Sequence, residues 1–314
     1  MEERNMIEQV PVIDIAELDD PESLRRIDRA CRDWGFFQVT GHGIEPALLR
    51  NIFEVSRNFF AQPEQAKQRT RRDADNPWGY YDKELTKNRR DWKEIYDFGP
   101  ADGDKLKPRW PDGYLRLRFE PVVRAYYASC RSLGLRLLSA MAQNLGVAPE
   151  HLVSGFGDAH TSFLRLNYYP RYTPGAGGDH PFGVGEHTDS GALTLLLQDE
   201  QPGLEVFREG RWYPIEPTPN ALVVNIGDMI QVWSNDRYRA ALHRVITNPN
   251  KDRYSVPFFL SPSYDTTYEP LPTTVAADRP ARYRPIRWRE FRSLRAAGDY
   301  ADVGEEIQIA HYRT

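Results

Sequence analysis

The feature that most restricts how this chain can fold is a change of hydrophobic period near Phe163. Before it, apolar residues recur at helical spacing; after it, they alternate. Pro121–Gly146 carries the clearest helical stripe, with Val122, Tyr126, Leu133, Leu137, Leu138 and Met141 along one side. Pro21–Trp34, with Leu24, Ile27, Ala30 and Cys31 in phase, and Pro46–Ala61, opened by a proline, are two further predicted helices. A short strand at Val10–Ile15 and another at Gly35–Val39 surround the first helix, and Gly41-His42-Gly43 is a turn. Arg69–Phe98 is polar and aromatic, broken at Asn76-Pro77, and reads as a long excursion outside the core.

From Phe163 onward, period two predicts strands at Phe163–Tyr169, Ala192–Gln198, Leu204–Arg208, Ala221–Ile226, Gln231–Trp233, His243–Thr247 and Tyr254–Leu260. Turn residues separate them: Pro174-Gly175, Gly177-Gly178, Glu209-Gly210, Pro217–Asn220 and Asn248–Asn250. Pro285–Ala297 reads as a closing helix with Gly298 just past its end. Short antiparallel strands flanked by helices predict a mainly β fold. Its core is a double-stranded β-helix (a jelly roll, cupin-like), with an N-terminal helical region and a C-terminal helix.

Composition narrows the function classes. At 314 residues and 40% hydrophobic, the chain can bury a large core. Lys+Arg 41 against Asp+Glu 45 leaves a net charge of −4, without the basic footprint of a nucleic-acid binder. No apolar run approaches the ~18 residues of a membrane span. The polar start Met1-Glu2-Glu3-Arg4-Asn5 lacks the basic and apolar regions of a signal peptide. Cys31 and Cys130 suit free thiols in a reducing compartment. The expectation is a cytoplasmic protein, monomeric by preference, whose partner is a small-molecule substrate rather than nucleic acid or membrane.

The β half contains Gly185-Glu186-His187-Thr188-Asp189-Ser190-Gly191, answered downstream by Ala241-Leu242-His243-Arg244-Val245 and Arg253-Tyr254-Ser255. On an extended strand, residues i and i+2 share a face roughly 6.5–7 Å apart. His187 and Asp189 can therefore converge on one ion while Thr188 points away, and His243 can arrive from another strand. Two histidines and a carboxylate with open positions form the ligand set of a non-haem Fe(II) oxygenase. Arg253 and Ser255, two apart, can hold a dicarboxylate beside the metal. About one His-x-Asp/Glu pair is expected by chance in a chain of this make-up, so the ordered conjunction carries the argument.

That order is shared with a known family. The chain resembles the isopenicillin N synthase-like branch of the Fe(II)/2-oxoglutarate-dependent oxygenases, which includes the plant soluble dioxygenases and ethylene-forming oxidases. The similarity covers Pro11-Val12-Ile13-Asp14, Trp34-Gly35-Phe36-Phe37-Gln38-Val39, Gly41-His42-Gly43-Ile44 and Asp91-Trp92-Lys93-Glu94. It continues through Asn167-Tyr168-Tyr169-Pro170, the metal string, Gly203-Leu204-Glu205-Val206, Val224-Asn225-Ile226-Gly227-Asp228 and Arg253–Phe259. The resemblance implies Fe(II) on His187, Asp189 and His243. It also implies a cosubstrate carboxylate on Arg253 and Ser255, with Tyr169 and Asn167 reaching it from a facing strand. The cofactors implied are Fe(II), 2-oxoglutarate as cosubstrate and O2, with ascorbate as a reductant. The reaction implied is oxidative decarboxylation of 2-oxoglutarate to succinate and CO2, coupled to hydroxylation, desaturation or ring closure of a small organic substrate. The organisation expected is a single catalytic unit over 1–314: an N-terminal dioxygenase region at 8–120, an oxygenase core at 157–265 and a C-terminal extension at 266–314.

Two alternatives stay open at this point. Relatives that need no 2-oxoglutarate also carry Arg-x-Ser, although the Asn167–Tyr169 and Arg253–Phe259 strings look more like the 2-oxoglutarate users. A catalytically inactive relative that binds a small molecule or a partner is the other. A zinc hydrolase is disfavoured because no His-Glu-x-x-His spacing occurs. For substrate contacts, the candidates are Arg165, Phe259, Tyr81 and Trp78, with Tyr80 and Phe98 as further roofing aromatics. Alternation places Phe163, Arg165, Asn167 and Tyr169 on one face. An inward Arg165 would need a substrate anion or a protein carboxylate, and an outward one would meet solvent. Gly227-Asp228 is expected to be a tight turn between strands, with Asp228 structural. His42 is also read as structural and His180 as part of a loop near the mouth. His151, His160 and His311 receive no role.

Overall fold

The computed structural model describes residues 9–101, 106–172, 182–300, 304–305 and 307–314. The first elements are β1 (Val12–Asp14), α1 (Pro21–Asp33), β2 (Phe36–Thr40), α2 (Pro46–Phe60) and α3 (Glu64–Gln68). β3 (Gly79–Tyr81), β4 (Leu85–Thr86), β5 (Arg89–Arg90) and β6 (Glu94–Phe98) precede the long α4 (Gly113–Asn144) and short α5 (Pro149–Val153). Next come β7 (Phe163–Tyr169), β8 (Phe182–His187), β9 (Leu193–Gln198), β10 (Leu204–Arg208), β11 (Arg211–Pro214) and β12 (Leu222–Ile226). α6 (Asp228–Trp233), β13 (His243–Ile246) and β14 (Arg253–Leu260) lead to β15 (Thr267–Tyr268), β16 (Ile286–Arg287) and α7 (Trp288–Arg295).

Two sheets face each other. The larger has eight strands in the order β1-β2-β12-β9-β14-β7-β6-β3, and the smaller has four in the order β11-β10-β13-β8. Alternation along the large sheet divides its residues into two populations. Leu164, Leu166, Leu193, Leu195, Leu197, Val224, Val256, Phe258 and Leu260 point to the helices and form one core with Leu133, Leu137 and Met141 of α4. Phe36, Tyr169 and Val223 point the other way and meet Val184, Val206 and Val245 of the small sheet. The polar residues Asn167, Thr194, Asn225, Arg253 and Ser255 take these inward positions and are buried there. The fold is thus the predicted mainly β jelly roll with flanking helices.

Several expectations need correction. Arg69–Phe98 is not an excursion: β3 and β6 extend the large sheet, and Tyr80, Tyr96 and Phe98 are buried in its helix-side core. Their alternation was masked because the opposite face is charged, as at Asp97. Gln231–Trp233 is helical, not a strand, and Gly227-Asp228 opens that helix rather than turning between strands. All six residues of α6 are buried, so no amphipathic period marked it. The long helix begins at Gly113 and runs through Pro121. The carbonyl deprived of its donor belongs to Leu117, a 70% exposed position where water can satisfy it. Ile286–Arg287 pairs with Thr267–Tyr268, so the closing helix starts at Trp288, and a π-turn at Ala296–Tyr300 carries it through Gly298. Strand β11 escaped the sequence reading, and β8 is expected from it only as the extended stretch carrying His187. The Pro174-Gly175 and Gly177-Gly178 turns and His180 lie outside the described residues. Among the described residues, no helix is long and apolar enough to cross a membrane. Cys31 and Cys130 are free and buried.

Gly134 lets α4 approach the sheet, because a Cβ there would sit 3.2 Å from Leu260 Cδ2 and 3.5 Å from Leu195 Cδ1. Gly134→Val is therefore expected to destabilise the fold by about 1–3 kcal/mol despite removing a helical glycine. Urea unfolding of the variant checks this; unchanged or raised stability would show that the contact is loose.

Candidate active site

The two histidines lie directly opposite each other, His187 at the end of β8 and His243 at the start of β13. Their ring centroids are 4.2 Å apart. Each ring is oriented by its own backbone. His187 Nδ1 donates to the Gly185 carbonyl at 2.8 Å, and His243 Nδ1 donates to the Ala241 carbonyl at 3.1 Å. A protonated Nδ1 leaves Nε2 with its lone pair free, the form a metal requires. Both Nε2 atoms face Asp189, at 3.7 Å from Oδ1 for His187 and 3.9 Å from Oδ2 for His243. One potential ligand atom from each residue lies within 4.8 Å of the others.

The expected strand geometry holds only in part. β8 ends at His187, and Asp189 stands on the loop beyond it. Its direction is set by the large sheet instead: Asp189 Oδ2 accepts from Thr194 Oγ1 at 2.5 Å and from Asn225 Nδ2 at 2.7 Å. The loop is also held from behind. Asp228 N donates to the Asp189 carbonyl at 2.7 Å, and Arg295 Nη2 donates to the Thr188 carbonyl at 2.9 Å. Arg295 pairs with Asp228 at 3.0 Å, both fully buried. Gly227 is required by close approach, since a Cβ would meet the Gly191 carbonyl oxygen at 2.2 Å. Thr194 and Arg295 were missed from the sequence. Asn225 and Asp228 lay in a string already noted, but nothing in it announced their partners.

Burial pushes His187 down, and the neighbouring His243 adds to this, taking it to about 3. Burial also pushes the Asp189 carboxyl up, but His243, His187 and the Thr194 and Asn225 hydrogen bonds outweigh it and leave the group below its ordinary value. At neutral pH the trio is a neutral imidazole at His187 beside a carboxylate, a hard nitrogen and oxygen donor set suited to Fe(II).

Across the sandwich, Arg253 and Ser255 on β14 stand in register with Tyr169 and Asn167 on β7. Arg253 is 1% exposed. Its Nε donates to the Gln201 carbonyl at 3.2 Å and its Nη2 to Gln198 Oε1 at 3.1 Å, while Nη1 has no partner among the described residues. Tyr169 lies 5.2 Å below the guanidinium carbon. Asn167 Nδ2 donates to Ser255 Oγ at 3.2 Å, which leaves the serine hydroxyl hydrogen free to donate. A buried guanidinium with an orphaned N–H group and, among the described residues, no carboxylate within ion-pair reach is costly alone. It is what a bound dicarboxylate would repair, so the residues fit both Fe(II) and 2-oxoglutarate.

Beside the metal trio opens a cavity of ≈ 490 Å³, walled by Trp78, Phe163, Arg165, Phe259, His187 and Asp189 among others. Arg165 points inward, and protein carboxylates meet it: Asp97 at 2.7 and 2.8 Å and Glu84 at 3.1 Å. Tyr81 does not line the cavity; it lies under the Arg72 guanidinium at 4.0 Å. Tyr80 and Phe98 are core residues instead of roofing. His160, given no role from the sequence, is in the cavity wall and stacks on Tyr127 at 6.3 Å. His42 closes its turn, bonded to the Asn220 carbonyl at 2.9 Å and accepting from Ile44 N at 3.1 Å.

Known proteins place this arrangement in context. Residues 160–262 match the model of the 2OG-Fe(II) oxygenase superfamily, and 10–113 match that of the N-terminal region of non-haem dioxygenases in morphine synthesis. Gibberellin 2-beta-dioxygenase 5 of Oryza sativa subsp. japonica is 36% identical, over 98% of this chain and 88% of its own. Jasmonate-induced oxygenase 4 of Arabidopsis thaliana is 34% identical, over 91% of this chain and 82% of its own. The crystal structure of JOX2 in complex with 2OG, Fe and JA superposes with a TM-score of 0.82 at 30% identity, covering 98% of this chain and 89% of that one. The dioxygenase for auxin oxidation of rice gives 0.79 at 30% identity, covering 98% and 100%. The chain belongs to the 2OG-Fe(II) oxygenase family and is an Fe(II)- and 2-oxoglutarate-dependent dioxygenase acting on a small molecule.

The depressed His187 sets a pH response. With its folded pKa near 3 against an ordinary 6.5, the unfolded chain binds the proton more strongly, so stability rises with pH across that window. In metal-free protein, His187→Asn is expected to flatten part of the rise in urea-unfolding stability between about pH 4 and 6.5, inside the window from about 3 to 6.5. An identical slope in the variant would refute a largely desolvated neutral imidazole at this position.

Proposed function

We propose that His187, Asp189 and His243 hold the Fe(II), that Arg253 and Ser255 bind the far carboxylate of 2-oxoglutarate, and that Tyr169 and Asn167 shape the cosubstrate's seat. The observation that carries this reading is the convergence of three donor atoms within 4.8 Å, each histidine already presenting Nε2. When bound, iron and 2-oxoglutarate supply the oxidation, consuming O2 and releasing succinate and CO2 as a substrate C–H bond is oxidised.

The chain's own residues do the rest. Thr194 and Asn225 keep the Asp189 carboxylate aimed at the metal position. The Gly185 and Ala241 carbonyls hold the two imidazoles in the tautomer that donates to a metal. Arg253 offers Nη1 and Ser255 its hydroxyl to an anion, and Tyr169 packs beneath the guanidinium. Val184, Val206 and Val245 keep the space between the sheets dry, which strengthens each of these charge-assisted bonds. The substrate occupies the ≈ 490 Å³ cavity, a size suited to a small organic molecule. Trp78, Phe163 and Phe259 supply its apolar wall. We read the chain as one catalytic unit, with the regions 8–120, 157–265 and 266–314 as its parts, working as a cytoplasmic monomer.

The test is turnover with and without 2-oxoglutarate, ascorbate being added only to keep the iron reduced. Succinate should form only when Fe(II) and 2-oxoglutarate are both supplied, and His187→Ala or His243→Ala should abolish it with circular dichroism unchanged. Near-normal activity in either variant would overturn the ligand assignment, and substrate oxidation without 2-oxoglutarate would favour the cosubstrate-independent oxidase. Arg253→Ala is expected to raise the KM for 2-oxoglutarate by about ten- to hundred-fold, the loss of a charge-assisted contact. An unchanged KM would move the cosubstrate elsewhere.

A further inference from the structure

The cavity contains four cationic side chains, Arg72, Lys93, Arg165 and Arg292, and three of them are already neutralised. Arg72 pairs with Glu84 at 2.8 Å and with Asp97 at 3.1 Å. Arg165 holds the same two carboxylates from the other side, and Lys93 pairs with Asp91 at 3.0 Å, both nearly buried. A substrate anion that took any of these cations would leave a buried carboxylate uncompensated, which is strongly unfavourable.

Arg292 differs. It is half-buried on α7, its guanidinium carbon 5.8 Å from the Phe163 ring, and among the described residues its side chain makes no ion pair or hydrogen bond. Asp158, the exposed carboxylate of the cavity rim, is not within ion-pair reach of it. The helix that presents Arg292 is rigidly placed, because Arg295, three residues on, is fully buried against Asp228 and the Thr188 carbonyl. Beneath Arg292, Phe163 and Phe259 stack at 4.5 Å and 21°, with Trp78 at 6.2 Å from Phe163. Among the described residues, the wall is therefore an aromatic slab with Arg292 as its cation without an ion-pair partner.

We propose that Arg292 is a specificity-determining residue that binds a carboxylate of the primary substrate, and that the substrate is a ring-bearing organic acid whose body lies on Phe163 and Phe259. This deepens the reading of the previous section and rests on it. A guanidinium on a partly desolvated aromatic face binds a carboxylate by paired charge-assisted hydrogen bonds. A neutral ester or amide of the same shape keeps the stacking and forfeits the ion pair.

The experiment uses 3-phenylpropanoate and 1-naphthylacetate as probes, each beside its methyl ester and primary amide. Binding to enzyme loaded with Fe(II) and 2-oxoglutarate is measured by anaerobic calorimetry, and 2-oxoglutarate affinity is measured in parallel. The acids should bind the wild type at least about ten-fold more tightly than their neutral counterparts. Arg292→Gln should erase that gap, Arg292→Lys should keep part of it, and neither should alter 2-oxoglutarate affinity. Equal binding of acids and neutral analogues by the wild type, no binding of either acid, or a preference that survives Arg292→Gln would overturn the proposal. Loss of the preference in Arg165→Gln but not Arg292→Gln would overturn it too. Failure of the underlying reading would show separately, as an absence of 2-oxoglutarate-dependent succinate formation.

Discussion

The hydrogen bonds from Thr194 and Asn225 to the Asp189 carboxylate are the constraint on which the site depends. The two histidines belong to the small sheet and are fixed by pairing across β8 and β13. Asp189 belongs to neither sheet, yet Thr194 on β9 and Asn225 on β12 hold its carboxylate. Three donors on separate supports can meet only if the sheets keep their spacing, and the apolar layer of Tyr169, Val184, Val206 and Val245 maintains it. The metal position is thus a property of the sandwich as a whole.

Electrostatics inside the sandwich follow a simple division. Charges with a structural duty are paired: Arg295 with Asp228, Lys93 with Asp91, and Arg72 and Arg165 with Glu84 and Asp97. Among the described residues, the charges without an ion-pair partner include Arg253, buried on β14, and Arg292, half-buried in the cavity wall. Because an unpaired buried charge is costly, Arg253 is the one of the two that a bound anion would stabilise more.

Much of this was legible in the sequence, for a physical reason. Period two is strict, so Asn167 with Tyr169 and Arg253 with Ser255 had to share inward faces once their strands were recognised. The convergence of His187, Asp189 and His243 followed from residue type and order, though Asp189 reaches the site from a loop. What remained hidden was long-range or lacked a period. Arg295 sits far from Thr188 in sequence, α6 is buried on every side, and the polar inner edge of β6 disguised a core strand as a loop. Arg165 could not be assigned before Asp97 was known to stand opposite it.

The division of β7 and β14 into a helix-facing row and an inward row has a wider consequence. Sliding either strand by a single position would exchange the rows, turning Arg253 and Ser255 toward the helices and apolar residues into the space between the sheets. On the cavity side, the Arg165–Asp97 pair and the Asn167–Ser255 hydrogen bond oppose that error. The apolar side adds a second guard, where Leu164, Leu166, Phe258 and Leu260 pack in one core with the long helix. Chemistry here is inherited from packing on the far side of the wall, so loosening the packing would misplace the reactive groups even where the backbone still closes.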